Sequence, residues 1–489
     1  MPSSCSFPRI AAALAIGALF LAGSRAQAAT GHQPEGWDSD VRLPEAIDHN
    51  PDPAIVEVHL DARVARVEIA PGLSVDAWTY DGGVPGPLIR ARVGDRVIVR
   101  FTNHLPQATT VHWHGLRIPI QMDGVPGYSQ AEVQPDGSFT YDFVVPDAGL
   151  FWYHPHMMSA AQVGFGLYGA ILVEDPADAV GIEDQMVLVL SDIGISEKGT
   201  LESPDSGGPA GMVFGREGTH VLVNGRLRPR LTVRSGAPQR WRILNAAKSR
   251  YFQLFLDGQT FTKIGGDNGL QEYSQASDRL ILATGERADV VVAPQGAPGD
   301  ELVLMSLLYN RGYGSVEYRD QPQLVTLGFA DGPAYSGPPP SSVRRSIEPL
   351  PTEGATKVDI ELTLAKKGDG FEYGINGVAF AKNKPIRATP GETQIWTIVN
   401  QTKWSHPFHL HGFSFLVLDA AGQPAHPLAW KDTVDVPLEQ TVRFVVRFDD
   451  RQGTWMYHCH ILDHADGGMM GVVELGTVRG AAHHHAEIP

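Results

Sequence analysis

Cysteine is nearly absent from this chain of 489 residues, which contains only Cys5 and Cys459. Cys5 lies in an N-terminal stretch with the features of a cleaved targeting segment, so we expect the mature protein to keep a single thiol. A lone cysteine excludes internal disulfides, and a hydrophobic core must therefore hold the fold together. Hydrophobic residues make up 43% of the sequence, which is ordinary for a globular protein.

Positive charge is also in deficit, because 39 Lys and Arg residues stand against 55 Asp and Glu residues. The resulting net charge of -16 argues against nucleic acid or an anionic membrane surface as a partner. It is compatible with cationic substrates or metal ions, although it does not demonstrate them.

Long apolar runs are missing beyond the N-terminus. The exception extends from Ile10 to about Ala22, after Arg9 and before the small residues of Ala26-Gln27-Ala28-Ala29. This pattern predicts a cleaved signal peptide over residues 1–28, and no Arg-Arg pair precedes it, which favours a Sec-type route. This run is itself too short to span a bilayer, and no later stretch approaches about twenty unbroken apolar residues, so we expect a periplasmic or secreted protein without a membrane span.

Long amphipathic helical patterns are scarce, and short alternating runs rich in β-branched residues replace them. Examples are Ile55 to Leu60 and Arg96 to Thr102, with turn residues such as Gly94-Asp95 between the runs. The pattern predicts an all-β protein built from sandwiches. It recurs three times at a spacing typical of a domain.

The repeats predict three consecutive domains at residues 50–178, 183–330 and 355–478. A Pro/Gly/Ser-rich linker is expected at 331–352, and a flexible tail at 479–489. In the first and third domains a strand ends at Asn103 or Asn400, and histidines follow shortly afterwards. The middle domain has no such histidines, so we interpret it as a homologue that has lost its metal residues.

Four histidine clusters stand out. A chain with 19 histidines is expected to contain about one His-x-His pair by chance. They are His112-Trp113-His114, His154-Pro155-His156, His406-Pro407-Phe408-His409-Leu410-His411 and His458-Cys459-His460. Any single pair has a simpler interpretation as a surface or core feature, but four pairs together do not. Residues i and i+2 of a strand project to the same face, so the four pairs supply eight imidazoles, enough for a cluster of three metals.

The same alternation divides the last cluster between two sites. Cys459 points away from its two neighbours, and His406 is offset by three residues from His409, so both are expected to face away from the eight imidazoles. They can meet His464 from the following turn, with Met469 as a long axial contact. Two imidazoles, one thiolate and a weak thioether are typical of a blue-copper electron-transfer centre.

With these motifs in this order, the chain resembles the multicopper oxidases, the laccase-like three-domain family. Tyr141-Asp142-Phe143, Gly149 to Tyr153 and Gly453 to Tyr457 also resemble the strands that lead into the ligands of that family. The resemblance implies three cupredoxin-like Greek-key β-sandwich domains and four copper ions. It assigns a type 1 copper to His406, Cys459, His464 and Met469, a type 2 copper to His112 and His409, and a type 3 pair to His114, His154 and His460 and to His156, His411 and His458.

The resemblance implies that the protein couples four one-electron oxidations of a small-molecule reducing substrate to the four-electron reduction of O2 to water. The peptide of Cys459 would supply a covalent electron route, because its sulfur and its two neighbours belong to different sites. Only ten methionines occur and no Met-rich insertion interrupts the third domain, which favours phenols or aromatic amines as substrates. Cu(I) or Fe(II) is the second choice.

Acidic residues leave several interpretations open. Asp123 matches the family position of an acid near the type 2 copper and is a candidate proton relay, with an ordinary turn residue as the alternative. Relatives that carry an acid directly after the last type 1 histidine differ from this chain, which has Ala465, so Asp463 or Asp466 is a candidate substitute. Asp432 is expected either to line a substrate pocket or to lie in a solvated loop.

Other function classes remain as alternatives. A copper-storage protein would keep the ligands without turnover, whereas a scaffold that kept only the fold would be expected to lose them. A copper-dependent nitrite reductase is disfavoured, because that pattern lacks a full trinuclear set. Copper content, blue absorbance and oxygen uptake separate these alternatives.

Overall fold

Strands with one buried and one exposed face dominate the structure, as the alternating sequence pattern predicts. The computed structural model describes residues 41–178, 180–312, 322–339, 342–368 and 370–476, so the predicted signal peptide and tail lie outside the described residues. In the strand Arg96–Asn103, for example, Val97, Val99 and Phe101 are buried while Arg96 and Arg100 are exposed. This alternation turns one face of each sheet toward a core.

The first sandwich consists of two packed sheets with strand orders β2-β1-β4-β6 and β3-β8-β7-β5. Its strands are β1 (Ile55–Ala70), β2 (Leu73–Tyr80), β3 (Gly86–Arg92), β4 (Arg96–Asn103), β5 (His112–His114), β6 (Ser138–Val144), β7 (Gly149–His154) and β8 (Gly169–Glu174). The short helix α1 (Ser159–Gly164) follows β7, and 3-10 turns cover Ile120–Met122 and Pro176–Asp178.

The middle sandwich pairs a sheet of order β10-β9-β12-β17-β14-β15 with one of order β11-β19-β18-β13-β16. Its strands are β9 (Gln185–Ile193), β10 (His220–Val223), β11 (Arg230–Val233), β12 (Gln239–Asn245), β13 (Phe252–Leu256), β14 (Phe261–Gly266), β15 (Gly269–Ser277), β16 (Arg279–Leu282), β17 (Arg287–Val292), β18 (Glu301–Leu307) and β19 (Gln323–Phe329). Helix α2 (Gly208–Phe214) lies between β9 and β10.

The third sandwich has strand orders β21-β20-β23-β27-β25 and β22-β29-β28-β24-β26. Its strands are β20 (Thr356–Lys367), β21 (Gly370–Ile375), β22 (Ile386–Ala388), β23 (Thr393–Asn400), β24 (His406–Leu410), β25 (Phe415–Leu418), β26 (Thr433–Val436), β27 (Thr441–Arg447), β28 (Gly453–Cys459) and β29 (Met470–Leu475). A 3-10 turn covers Phe380–Lys382, and helix α3 (Leu462–Asp466) joins β28 to β29.

The three sandwiches repeat the same two parallel pairings. In one sheet β1 runs parallel to β4, β9 to β12, and β20 to β23. In the other sheet β3 runs parallel to β8, β11 to β19, and β22 to β29. Because strands that neighbour each other in sequence are more often antiparallel, these shared crossovers indicate one fold used three times. The prediction of consecutive Greek-key sandwiches is confirmed, while the limits of the domains remain a prediction.

Each sandwich has its own apolar core. Leu60 and Phe101 belong to the first core, Trp241 to the second, and Trp396 to the third. The third core also includes Cys459 and Met469, so this thiol and thioether are surrounded by side chains that exclude water. Among the described residues, no helix combines the length and apolar character needed to cross a membrane.

Candidate metal centres

Two neighbouring strands of the first sandwich carry the first two histidine pairs. Antiparallel pairing places His112 directly opposite His154, and Trp113 points the other way into the first core. His114 follows on the same face as His112, while His156 lies just beyond the end of β7. The strand period of two therefore collects these imidazoles on one side of the sheet, as predicted.

Two strands of the third sandwich supply the remaining imidazoles and split them between two faces. His409 lies opposite His458, and Phe408 lies opposite Cys459. His406 shares the face of Phe408, since the two are separated by two positions, so His406 and Cys459 point into the third core together. His458 and His460 point the other way. The predicted division of the last cluster is what the structure shows.

The eight imidazoles meet between the first and third sandwiches. His112 stacks on His411 with ring centres 3.9 Å apart, and His114 stacks on His409 at 3.7 Å. Ligand atoms come within 4.8 Å of one another in three all-histidine groups: His112, His409 and His411; His112, His114 and His154; and His156, His411 and His458. The last group coincides with one expected type 3 set. His460 is outside these groups, with its ring centre 4.9 Å from His114 and 5.7 Å from His154.

In several of these rings one nitrogen is hydrogen-bonded to the protein and the other is left for a metal. Nδ1 of four histidines bonds a backbone carbonyl oxygen at 2.7–3.0 Å: His112 to Asp123, His154 to Pro155, His409 to Asp432, and His458 to Cys459. The buried Nε2 atoms of His112, His154 and His409 have no hydrogen-bond partner in the described part of the chain. Fixing one ring nitrogen with the protein and leaving the other for the metal is the usual arrangement of metal-binding histidines.

Short distances between imidazole Nε2 atoms also indicate a metal centre. Nε2 of His458 lies 3.1 Å from Nε2 of His411 and 3.5 Å from Nε2 of His156. Burial is the largest cause that lowers the pKa of His458, to about 3, and it also places the pKa of His154 and His156 well below the usual value. The rings are therefore neutral near neutral pH, and their lone pairs face one another. A shared cation fits this set of donors.

A second group lies in the core of the third sandwich. Nδ1 of His406 and Nδ1 of His464 lie 3.4 and 3.6 Å from Sγ of Cys459, and 3.1 Å from each other. All three side chains are fully buried. Met469 is also buried, and its carbonyl oxygen accepts a hydrogen bond from the Cys459 amide. Two imidazoles and a thiol in mutual contact, with a buried thioether in the same core, fit the donor set of a blue-copper site.

An ion pair from the middle sandwich joins the three sandwiches beside the eight imidazoles. The guanidinium of Arg287 donates to both carboxylate oxygens of Asp432, at 2.8 and 2.5 Å, and to the carbonyl oxygen of Leu150 at 2.9 Å. Asp432 in turn lies 3.0 Å from Nε2 of His114, which leaves Nδ1 of that ring for a metal. Arg287 and Asp432 are both buried.

The position of Asp432 corrects the sequence interpretation, which expected a substrate pocket or a solvated loop. Only 1% of this residue is exposed, and its carboxylate is occupied by Arg287 and His114. Burial alone would raise the pKa of Asp432, but the Arg287 guanidinium and the His114 ring together hold that pKa well below its usual value. Asp432 is therefore a buried anion that orients a candidate ligand.

The middle sandwich also closes one side of the imidazole cluster. Thr284 donates its hydroxyl to the carbonyl oxygen of His460 at 2.7 Å. The neighbouring Gly285 has a φ of +84°, and a Cβ atom there would lie 3.0 Å from the His460 ring and 3.2 Å from that of His114. Sequence patterns did not single out Arg287, Thr284 or Gly285, because their roles arise only when the sandwiches pack together.

Asp123 lies against the cluster in a tight turn. Its Oδ2 atom accepts a hydrogen bond from Nδ1 of His411 at 2.9 Å, and only 1% of the residue is exposed. Gly124 follows with a φ of +81°, and a Cβ atom there would lie 1.9 Å from the Val111 carbonyl oxygen, so the turn requires glycine.

The two acidic residues near Ala465, Asp463 and Asp466, bind groups outside the candidate metal centres. Asp463 pairs with Arg216 and accepts from the Ser249 hydroxyl, and Asp466 accepts from the backbone amides of Ser159 and Ala160. Neither contact is with a candidate ligand.

Comparison with known proteins gives matches along most of the chain. Sequence profiles described as multicopper oxidase match residues 62–178, 184–315 and 351–477. The chain is 30% identical over 449 residues to multicopper oxidase MmcO of Mycobacterium tuberculosis, covering 85% of this chain and 86% of that protein. It is 28% identical to a laccase of Bacillus subtilis, covering 81% of this chain and 90% of the laccase.

Among solved structures, the fold is similar to a multicopper oxidase of Campylobacter jejuni described as a metallo-oxidase. The TM-score is 0.78 at 28% sequence identity, and the match covers 89% of this chain and 94% of the other.

Replacing Arg287 with methionine tests the importance of the buried ion pair. We expect the Arg287→Met variant to lose about 3–5 kcal/mol of unfolding free energy, because Asp432 would remain as an uncompensated buried charge. Chemical denaturation of the copper-free protein measures the change. Arg96→Met is the matched control, since Arg96 forms a similar two-bond pair with Asp142 on the surface, where the effect should be far smaller. Equal losses in the two variants would contradict this account.

Proposed function

The chain belongs to the multicopper oxidase family, and we propose that it oxidises phenols or aromatic amines at the candidate sites described above. As a member of the family it is a copper-dependent oxidoreductase with O2 as the electron acceptor, and it uses four copper ions. The observation that supports the proposal is the presence of two groups of buried metal donors, one in the third core and one between the first and third sandwiches.

The proposed ligands follow the family pattern. His406, Cys459, His464 and Met469 would hold the type 1 copper, and the eight other imidazoles would hold the remaining three ions. Bound copper would supply one-electron chemistry, and the four ions together would hold the four electrons that the reduction of O2 to water requires. Uncommitted nitrogens directed at one another support this assignment on the trinuclear side.

Cys459 has a connecting role in this proposal. Its sulfur belongs to one donor set, while its carbonyl oxygen accepts a hydrogen bond from Nδ1 of His458, a member of the other set. Burial raises the pKa of the Cys459 thiol, so in the copper-free protein the thiol keeps its proton. A copper ion held by this sulfur would require the thiolate form, so loading the site would displace that proton.

Asp123 is proposed as the proton relay for water formation. Its Oδ2 atom bonds Nδ1 of His411, while its Oδ1 atom has no hydrogen-bond donor in the described part of the chain and can hold a proton there. The alternatives beside Ala465 are less suitable, because Asp463 is neutralised by Arg216 and Asp466 is bound to backbone amides of α1.

The substrate class rests on the composition of the chain and on one relative. Few methionines and the lack of a Met-rich insertion in the sequence favour organic reductants, and the Bacillus subtilis relative is named a laccase. The Campylobacter jejuni structure described as a metallo-oxidase favours Cu(I) or Fe(II) as the second candidate. We propose that residues 1–28 direct the protein to the periplasm or the exterior, where both kinds of reductant are available.

The central experiment uses the copper-loaded protein. We expect four copper ions per chain, a blue absorbance band and oxygen uptake that is faster with 2,6-dimethoxyphenol than with Cu(I) or Fe(II). The reverse order of rates would favour a metallo-oxidase. Full copper loading without turnover would contradict the oxidase proposal and indicate storage.

Replacing Met469 with leucine tests the axial position. We expect the reduction potential of the blue site to rise in Met469→Leu, because loss of the weak thioether donor disfavours the divalent ion. A redox titration of the blue band measures the potential. Met456→Leu, a buried methionine outside the donor set, is the control and should leave the potential unchanged. An unchanged potential in Met469→Leu would refute the assignment.

Replacing Asp123 with asparagine tests the relay. We expect oxygen consumption by Asp123→Asn to fall by about a hundredfold, most steeply at high pH, because the amide cannot hold and release a proton at Oδ1. Steady-state rates across the pH range, with anaerobic bleaching of the blue band measured alongside, separate oxygen reduction from substrate oxidation. Asp142→Asn at the surface is the control. Unaltered oxygen reduction at every pH would rule out the relay.

A further inference from the structure

The proposed type 1 site is closed to direct contact with a substrate. His464 is fully buried, and its Nε2 atom lies 3.1 Å from the carbonyl oxygen of Val213 in helix α2 of the middle sandwich. The other imidazole, His406, is also buried, and its Nε2 atom lies 2.7 Å from the Thr402 hydroxyl. An electron from a reductant in solvent must therefore pass through other residues to reach either ring in this arrangement.

A connected set of aromatic rings, which we call the ring chain, runs from His464 to the surface. Tyr373 stacks on His464 with ring centres 4.1 Å apart and an interplanar angle of 27°. The Tyr373 hydroxyl accepts a hydrogen bond from Nε1 of Trp404 at 2.7 Å and donates one to the Val213 carbonyl oxygen at 2.5 Å. Trp404 is half-buried and packs edge to face against Phe214, which is 42% exposed.

We propose that an aromatic reductant docks on Trp404 and Phe214 and that its electron reaches His464 through Trp404 and Tyr373. The inference rests on the proposed function, because it presupposes copper at His406, Cys459 and His464. Trp404 is then the residue that touches the substrate, and Tyr373 is a positioning residue that links it to the buried imidazole.

Close contacts between the members of the ring chain support this path. Each step along the ring chain is a hydrogen bond or a ring stack, so an electron crosses no unfilled gap. An exposed phenyl ring beside a half-buried indole offers the edge-to-face and offset contacts that aromatic molecules prefer.

The chemical step balances without changing either protein ring. A docked phenol loses one electron and the proton of its O–H bond, and becomes a phenoxyl radical. The proton passes to bulk water, because the docking surface is exposed, and the electron converts divalent copper to monovalent copper. The hydroxyl hydrogen of Tyr373 stays on its oxygen, since it is directed at a backbone carbonyl that does not act as a base.

The main competing account is that helix α2 moves away and exposes His464 to substrate. Replacing Tyr373 with phenylalanine separates the two accounts by the sign of the effect. The variant keeps the ring stacked on His464 but removes the donor to Val213 and the acceptor for Trp404. Loosening α2 would speed reduction if opening limits it, whereas breaking the ring chain would slow reduction.

The kinetic test is anaerobic stopped-flow reduction of the copper-loaded protein, followed by bleaching of the blue band. We expect Tyr373→Phe and Trp404→Leu to slow reduction by 2,6-dimethoxyphenol about tenfold, with the band position unchanged. Reduction by ferrocyanide, which cannot stack, should also slow in both variants, because the path is shared. Tyr273→Leu removes a similarly exposed aromatic ring outside the ring chain and should have no effect.

Two results would overturn the inference. Faster reduction of Tyr373→Phe would establish opening of α2, and unchanged ferrocyanide rates in Trp404→Leu would show that Trp404 does not carry the electron. Trp404→Phe refines the expected result: it keeps a ring for docking but loses the Nε1 hydrogen bond, so it should bind the phenol normally and still transfer slowly.

A copper-independent measurement tests docking separately. Saturation-transfer NMR with 1,2-dimethoxybenzene, which has no O–H bond to oxidise, should detect binding to the copper-free full chain and to Trp404→Phe. The signal should be lost in Trp404→Leu. If the copper-loaded wild-type protein lacks a blue band, the proposed function is wrong. The NMR measurement still tests docking in that case, because it uses copper-free protein. Equal signals in the wild-type protein and Trp404→Leu would contradict docking at this surface.

Discussion

The buried pair of Arg287 and Asp432 is the interaction on which the arrangement of the three sandwiches depends. A guanidinium and a carboxylate removed from water are costly unless every donor and acceptor is matched. Here they are matched by groups from all three sandwiches, including the Leu150 carbonyl oxygen and Nε2 of His114. The middle sandwich contributes none of the proposed copper ligands, yet its arginine sets the orientation of one of them.

The imidazole cluster likewise combines ring nitrogens that are hydrogen-bonded to the protein with ring nitrogens that are not. Backbone carbonyls occupy one nitrogen of several rings, and burial lowers the pKa of His154, His409 and His458. Nε2 of His154 and of His409 has no hydrogen-bond partner among the described residues. A folded protein with such a centre gains stability when a cation enters it. Under the proposed ligand assignment, copper binding would be coupled to the mutual position of the first and third sandwiches, because each supplies half of the rings.

Much of this site could be predicted from local sequence, and the reason is strand geometry. Alternation alone predicts His458 and His460 on one face and Cys459 on the other. The pairing of β24 with β28 places His458 opposite His409 and Cys459 opposite Phe408, and the ring centre of His460 lies 5.6 Å from that of His458. Features that arise from packing between sandwiches could not be predicted in this way. Asp432 was interpreted as a pocket or loop acid because its partner Arg287 is 145 residues away in sequence. The cap of Val213 over His464 likewise joins segments that carry no shared motif.

The position of Cys459 between two histidines on β28 has a mechanical consequence. Small shifts of the first sandwich against the third would alter the spacing of the eight rings, but they would leave unchanged the few covalent bonds that separate the Cys459 sulfur from its neighbours. The Cys459 sulfur and the neighbouring imidazoles are thus joined by a fixed length of peptide, which relative motion of the sandwiches does not change. A slip of β28 by one residue would exchange the faces of the thiol and the imidazoles at once. The pairing with β29, which extends from Gly453 to His458, guards against that exchange.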